Sequence, residues 1–487
     1  MLFNSVSYGL FLPVVFLLYW FVTNKNLTAQ NILLLVASYF FYACWDWRFL
    51  FLLIFSTLLD YFTGLKMYDA GSKKEKKFWF WLSIIVNLGF LGFFKYYNFF
   101  VTSFADALEM AGFKANPWTL QIILPIGISF YTFHGLSYVI DVYKDRIKPE
   151  RNFIEYAVFV SFFPLLVAGP IERATHLLPQ VKQKRTFDLS KAVDSLRQIL
   201  WGLFKKVVIA DTCATYVDAI FNNYELMNGS TLFMGLLFFT FQIYGDFSGY
   251  SDIALGTSRL FGIELLRNFS FPYFARDIAE FWRRWHISLN TWFRDYLYIP
   301  LGGSRSASRW IKIRNTFAIF LVSGFWHGAN WTFIIWGFLN ALCFLPLLLL
   351  KRNRKNLETV AQGKLLPTLG EIRAMTTTML FVVFVRVFFR SKSIGQALAY
   401  LKGIFSPSFF SMPDKKAFLG SSTNPFVAIG LIMVFMSIEW LGRENKYALE
   451  KFGFTWAKPV RWAFYYVILI SIFLFMGREQ QFIYFQF

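Results

Sequence analysis

Long apolar runs recur from one end of the chain to the other, separated by short polar stretches. Because a helix needs about 20 mostly apolar residues to cross the core of a bilayer, these runs predict roughly ten to twelve spanning helices. The most regular runs are residues 8–23, 30–45, 48–65, 78–101, 120–141, 199–221, 231–250, 372–390, 425–441 and 459–476. We therefore predict an all-α polytopic membrane protein, with residues 1–487 in a single membrane domain.

Two apolar segments do not fit a simple span. Residues 153–170 contain Pro164, end in Gly169-Pro170 and have basic residues on both sides, which predicts a re-entrant segment enclosed by protein. The run 315–350 also has basic flanks, but it is shorter than the roughly 40 residues that two full spans and a turn require. It predicts a tight hairpin of two short helices, with a polar turn at or beyond mid-membrane.

The basic residues between the apolar runs predict the orientation of the chain. Cytoplasmic loops are enriched in Lys and Arg, so the lysine-rich stretch 66–77 is expected inside the cell. Counting spans from it places both termini outside, with residues 478–487 as an extracytoplasmic tail. The loop 391–424 fits less well, because it would lie outside and yet contains lysines. Residues 251–314 mix basic and aromatic side chains, which predicts amphipathic helices at the cytoplasmic face; a soluble loop is the alternative.

The composition agrees with a membrane protein, and this changes how the net positive charge of the chain is interpreted. Hydrophobic residues make up 56% of the chain and charged residues 16%, against about 25% charged residues in soluble proteins. A net charge of +20 would suggest nucleic acid in a soluble protein, but here the basic residues lie in loops. We expect membrane lipid, and no nucleic acid, as a partner. Metal-ligand spacing is absent from the three cysteines, so no metal site is predicted: Cys44, Cys213 and Cys343.

His327 lies in the polar turn of the predicted hairpin, within the stretch from Ser323 to Trp331. A histidine at membrane depth costs free energy and is therefore a functional candidate. A neutral imidazole can take a proton from an attacking hydroxyl or thiol, or attack an acyl carbon itself. A histidine that only packs helices and bonds a carbonyl is the alternative. Gly324 and Gly328, four residues apart, clear one helix face for close packing.

His286 lies in an aromatic and basic stretch that spans residues 280–296. Its spacing to Asn290 and Phe293 predicts that the three share one face of a helix. Arginines in this stretch, namely Arg283, Arg284 and Arg294, could bind the phosphates of coenzyme A or of a phosphopantetheine arm. Pairing with Glu280 and Asp295, or with lipid headgroups, is the alternative. The polar stretch 242–252 predicts a cavity lining or a hydrogen-bonded helix end, and His134 and His176 receive no role.

Four blocks of the sequence, residues 125–133, 166–173, 280–303 and 323–331, resemble the membrane-bound O-acyltransferase family, in the branch that acetylates alginate and peptidoglycan. The resemblance implies a ring of helices around a thin core, with re-entrant and interfacial helices. In such a fold a cytoplasmic tunnel for the acyl donor meets an external funnel for the acceptor. By this resemblance His327 matches the catalytic histidine and His286 the second signature position.

The resemblance also implies a function. The chain is expected to pass an acyl group from a cytoplasmic thioester to an extracytoplasmic acceptor for polysaccharide O-acetylation. Acetyl is the acyl group that this interpretation favours. The donor is acetyl-CoA or an acyl carrier thioester, with no bound cofactor, and an acyl carrier protein is a candidate partner. Besides both histidines, the residues expected to bind substrate or donor are Asn290, Arg283, Arg284, Trp326 and Trp331. An extracytoplasmic partner of the SGNH-hydrolase type is implied, and the location is the bacterial inner membrane.

The last residues of the chain are aromatic and contain Tyr484. Related tails in this branch imply that Tyr484 accepts the acyl group near His327 and passes it to the partner's serine. An aromatic anchor at the membrane interface is the alternative. For the whole chain, the competing functions are a polymer or lipid transporter, and an acyltransferase that acts directly on a lipid or protein. A transporter would favour internal repeats, and none is visible in the sequence.

Overall fold

A computed structural model describes residues 1–167, 169–303, 308–418, 423–477, 480 and 482–483. Within these ranges the chain is helical and contains no strand, as predicted. The described part divides into two compact units. The first is Met1–Ala192 with Thr257–Leu266, and the second is Val193–Gly256 with Arg267–Phe487.

The first unit contains eight complete helices among the described residues. They are α1 (Val6–Leu17), α2 (Leu27–Tyr68), α3 (Lys73–Leu91), α4 (Tyr97–Met110), α5 (Ile128–Tyr143), α6 (Phe153–Ser161), α7 (Phe163–Leu166) and α8 (Ala174–Val181). Helix α2 is 42 residues long but loses helical geometry at Asp46. The break separates the predicted spans 30–45 and 48–65. Helices α6 and α7 are short and buried, as expected of irregular backbone that only surrounding protein can satisfy.

A hydrogen-bonded group at Glu172 links distant parts of the first unit. Its Oε2 lies 2.7 Å from Nδ1 of His176, and its backbone N–H donates to Nε2 of His134 at 3.0 Å. Its Oε1 accepts from the N–H of Leu266 at 2.6 Å. The two histidines without a predicted role therefore help to hold this buried residue in place, one through its carboxylate and one through its backbone.

The other α-helices lie wholly or mainly in the second unit. They are α9 (Leu189–Leu203), α10 (Asp211–Asn222), α11 (Gly229–Leu260), α12 (Ile278–Arg284), α13 (Ile287–Phe293), α14 (Arg309–His327), α15 (Trp331–Leu349), α16 (Leu369–Arg390), α17 (Ile394–Ile404), α18 (Pro425–Gly442) and α19 (Lys458–Phe475). A π-helical stretch, Phe204–Ala210, joins α9 to α10 without a break. Helix α11 continues to Leu260, ten residues beyond the predicted end of the span 231–250.

Six helices of the described chain are long and apolar enough to cross a membrane, by length and composition. They are Leu27–Tyr68, Lys73–Met110, Trp331–Leu349, Leu369–Arg390, Pro425–Gly442 and Lys458–Phe475. The chain is thus a multi-pass membrane protein, but this count is lower than the ten to twelve spans predicted. Two further apolar helices, Val6–Val22 and Phe153–Leu166, are shorter.

Candidate active site

The predicted hairpin consists of α14 and α15, and His327 is the last residue of α14. The helices pack closely because a Cβ atom at Gly324 would collide with the carbonyl oxygen of Phe333. A Cβ at Gly328 would collide with the ring of that phenylalanine. In the turn, Asn330 accepts from the N–H of Thr332 at 3.0 Å and so caps α15. The turn thereby fixes His327 at the end of a tightly packed helix pair.

Aromatic rings enclose the imidazole of His327, which is 3% exposed. Its ring centroid lies 5.0 Å from that of Trp326, 5.2 Å from Trp336 and 5.3 Å from Phe389. Trp336 comes from α15 and Phe389 from α16, so three helices of the hydrophobic core meet at this side chain. An enclosure of this kind excludes bulk water and strengthens the electrostatic interactions of a reacting group.

His286 lies at a break between α12 and α13, and this corrects the prediction of one continuous helical face. Its backbone adopts the left-handed conformation, with φ of 44°. That conformation costs a non-glycine residue on the order of 1–3 kcal/mol, and such strain is concentrated at functional sites. The side-chain amide of Asn290 donates to the carbonyl oxygens of Trp282 at 2.7 Å and Trp285 at 2.6 Å. Asn290 therefore stabilises the end of α12 and the turn that orients His286.

The break brings the two histidines together, with ring centroids 6.4 Å apart. Trp326 lies beside both rings, 5.9 Å from His286. On its other side, His286 packs edge-on against Phe247 at 4.6 Å. Burial lowers the pKa of His286 to about 3, because the charged form would lose its hydration. His286 is therefore neutral at physiological pH and can orient a polar group without adding charge.

A cavity of about 20 Å³ adjoins His327. Its walls include Trp282, Trp336 and Phe389, and the polar side chains of Asn340 and Arg386 also reach it. A volume of this size is about that needed for one water molecule. The space beside the imidazole therefore suits a very small group.

A second cavity of about 680 Å³ lies next to the first and is large enough for a drug-sized ligand. Trp282 lines both cavities. Ser323, one turn before His327 on α14, also faces the larger cavity. Five basic residues line it, and the described lining includes no Asp or Glu: Arg283, Arg294, Lys312, Lys351 and Arg354.

The predicted binding residues take different places around this cavity. Arg283 lines it but donates to the carbonyl oxygens of Asn353 at 2.5 Å and Asn356 at 2.7 Å. Arg284 pairs with Glu280 at 3.0 Å, which is the structural alternative given above for this residue. Trp326 is buried beside the histidines, whereas Trp331 is half-exposed at the start of α15.

Several basic residues at the larger cavity were missed as ligand-binding candidates. Lys312, Lys351 and Arg354 lie at the two ends of the hairpin, where the sequence analysis used such charges only to predict orientation. The signal that could have identified them is their position. Charges flanking the two arms of one hairpin must converge on the same side of it.

The proposed relay residue Tyr484 lies outside the described residues. Its neighbours Phe482 and Ile483 are described, and both are buried. The ring of Phe482 lies 4.5 Å from Tyr250 and 6.1 Å from Phe247, the ring that packs on His286. The described part of the C-terminal tail therefore reaches the aromatic wall behind His286.

Comparison with known proteins places these features in a family. Residues 144–387, which include both histidines, match the membrane-bound O-acyltransferase family. The "Peptidoglycan O-acetyltransferase" of Helicobacter pylori is 34% identical, over 98% of this chain and 95% of its own length. The "Probable alginate O-acetylase AlgI" of Pseudomonas aeruginosa is 39% identical, over 89% of this chain and 81% of its own. The "Teichoic acid D-alanyltransferase" of Streptococcus thermophilus is 28% identical, over 59% of this chain and 75% of its own.

Proposed function

The chain belongs to the membrane-bound O-acyltransferase family and is an acyltransferase, and from this premise we propose that it passes acetyl from a cytoplasmic thioester to an acceptor outside the cell. The arrangement that carries the proposal is the pair of cavities that share Trp282 as a lining residue. One is large and basic and suits the donor. The other is small, aromatic and adjacent to His327, and suits the acyl group.

The larger cavity supports a donor that carries phosphate. Arginine and lysine side chains bind phosphate through charge-assisted hydrogen bonds, and five of them line this cavity. Both acetyl-CoA and the phosphopantetheine arm of an acyl carrier protein meet this requirement. The thioester end then extends past Trp282 towards His327. In this arrangement Arg283 contributes from its backbone-bonded position, while Arg284 serves to fix α12 through Glu280.

His327 is proposed to act as a general base. It takes the proton from an acceptor hydroxyl, whose oxygen attacks the carbonyl carbon of the thioester. The carbon–sulfur bond then breaks, and the thiolate leaves and takes up a proton. His286 orients the reacting groups as a neutral ring, and Asn290 holds the turn on which His286 lies. Direct attack of His327 on the acyl carbon is the other route that its position allows.

The acceptor is proposed to be a cell-surface or exported polysaccharide, because two relatives carry names of polysaccharide acetylation. By the family resemblance, the first acceptor is the phenol of Tyr484. A serine of an extracytoplasmic SGNH-type partner takes the group next and esterifies the polymer. The proposal places the chain in the bacterial inner membrane, with residues 251–314 on the cytoplasmic side and both termini outside.

The small cavity predicts a preference for short acyl groups. Replacing Phe389, which contacts His327, by Leu should enlarge this space. We expect the ratio of kcat/KM for propionyl thioester over acetyl thioester to rise by about tenfold or more, the usual worth of one methylene in an apolar pocket. The control is Phe344→Leu, which alters only the larger cavity. An unchanged ratio in an active Phe389→Leu variant would show that this cavity does not hold the acyl group.

The function is tested in a strain that lacks the gene, by measuring exported polysaccharide and its O-acetyl esters separately. The proposal expects unchanged polymer without ester, and return of the ester on complementation. Loss of the polymer itself would favour a transporter. Normal polymer esterification, together with loss of an acyl group from a lipid or protein, would favour direct acylation of that molecule.

A further inference from the structure

Two consecutive lysines are buried in the π-helical stretch Phe204–Ala210. Lys205 is 3% exposed and Lys206 is 1% exposed. A buried ammonium group requires paired charges, and α11 supplies them. Lys205 Nζ lies 2.5 Å from Asp252, and Lys206 Nζ lies 2.8 Å from Asp246. Lys206 also contacts Asp211, at 2.7 Å. Both ion pairs join the π-helical stretch to α11, although the side chain of Asp252 is 14% exposed and that of Asp246 is 3% exposed.

They differ in what else they bind. Lys206 Nζ donates to the carbonyl oxygen of Gln480 at 3.2 Å. On the other side of the ion pair, Oδ2 of Asp246 accepts from the backbone N–H of Ile483 at 2.7 Å. The cation and the anion of one buried pair thus hold a carbonyl and an amide of the C-terminal tail. Among the described residues, neither Lys205 nor Asp252 contacts that tail.

Between these two backbone contacts, Phe482 is fully buried against aromatic rings of α11. Its ring lies 4.5 Å from Tyr250 and 6.1 Å from Phe247. Phe247 follows Asp246 directly, so the residue that binds the tail backbone precedes the ring that packs on His286. The tail is held by two polar contacts and one side-chain anchor. The Asp246 contact and the anchor lie on α11, the helix that forms the wall behind His286, and the other contact comes from Lys206 in the π-helical stretch.

We propose that Lys206 and Asp246 form a clamp for the C-terminal segment, and that these positioning residues keep Gln480, Phe482 and Ile483 against the wall behind His286. The clamp binds the backbone carbonyl of Gln480 and the backbone N–H of Ile483, and the aromatic side chain of Phe482 packs between these two contacts. It also gives a role to Asp246 within the polar stretch 242–252 of α11. That the clamped tail is needed for acyl transfer rests on the proposed function, whereas its binding does not.

The test uses Ile483→Cys as a reporter in a full-length chain whose natural cysteines are replaced by alanine. Membranes are treated with a membrane-permeant maleimide, and the rate of labelling is measured. Lys206→Met or Asp246→Asn should raise the rate by about tenfold or more, as expected when a hydrogen bond to a charged group is lost. The matched controls are Lys205→Met and Asp252→Asn, which disrupt the neighbouring buried pair.

Faster labelling in the Lys206 and Asp246 variants, with slow labelling in both controls, supports the clamp. Equal acceleration in all four variants would mean general loosening of α11 and would overturn it, as would no acceleration in any. Polymer O-acetyl content is measured on the same four variants without the reporter. Normal ester content in variants whose tail is labelled rapidly would overturn the proposal that acyl transfer needs the clamped tail. If the wild type made no ester at all, the proposed function would fail while the labelling still reported on the clamp.

Discussion

Replacing His327 by Ala is expected to reduce polysaccharide O-acetylation by about 10²- to 10⁴-fold, the usual contribution of a general base. The enclosed position of this imidazole is the reason. It ends α14 between the rings of Trp336 and Phe389, beside the small cavity. Because the site is shielded from bulk water, water cannot take over the proton-accepting role of the imidazole nitrogen. The measurement is the ester content of the polymer in a deletion strain complemented with each variant, at membrane levels matched by immunoblot.

Two further variants separate chemistry from packing. His327→Gln fills most of the same space and removes the basic nitrogen, so it should be as inactive as the alanine variant. His286→Gln should lower the ester content less, because that neutral side chain orients groups rather than accepting the proton. Full esterification with His327→Ala at a normal protein level would make the residue structural. The alternative function of a polymer or lipid transporter would then be favoured, because in a transporter the histidines would serve only a proton pathway.

The hairpin that carries His327 and its polar turn could be predicted, because a long apolar run with a polar stretch near its middle forms two helices joined at that stretch. The prediction that both helices are short was wrong, since α14 and α15 are each 19 residues long and α15 is long and apolar enough to cross a membrane. The glycines needed for close packing were visible in the spacing of Gly324 and Gly328. The structure agrees at this point because each of these features is local in sequence.

The geometry at His286 could not be predicted from the same reasoning. The spacing of His286 and Asn290 is identical in a continuous helix and in one broken before α13. The break depends on the Asn290 amide, which bonds carbonyl groups of the preceding helix. Likewise, the apolar run 199–221 contains Lys205 and Lys206, and the sequence alone does not show how their charges are accommodated. Their burial depends on carboxylates of α11, about 40 residues further along the chain.

The larger cavity was missed for another reason. Its walls come from α12, α13 and the two ends of the α14–α15 hairpin, so it exists only once these elements pack together. Sequence patterns assigned the charges of Lys312, Lys351 and Arg354 to orientation alone, whereas Arg283 and Arg294 were already candidates for phosphate binding. Both roles are compatible, because basic residues at a cytoplasmic face are also available to a cytoplasmic phosphate group.

Deleting residues 482–487 is expected to abolish polymer O-acetylation while membrane insertion stays intact. The deletion removes Phe482, which is buried against Tyr250, and the amide of Ile483 that Asp246 binds. It also removes Tyr484, the proposed acceptor of the acyl group. Insertion should not change, because the last spanning helix, α19, ends before the tail. The measurements are polymer ester content and the amount of chain in washed membranes.

A single substitution then distinguishes a relay from an anchor. Tyr484→Phe keeps an aromatic ring for packing and removes the hydroxyl that would carry the acyl group. A relay predicts loss of ester in this variant, equal to that of the deletion, with the 483 reporter still protected from maleimide. If Tyr484 is only an anchor at the interface, the Tyr484→Phe variant should have normal ester content, because the phenylalanine ring is sufficient for anchoring. Normal acetylation after the full deletion would exclude the relay. Polymer acetylation would then depend on groups that approach His327 without the tail.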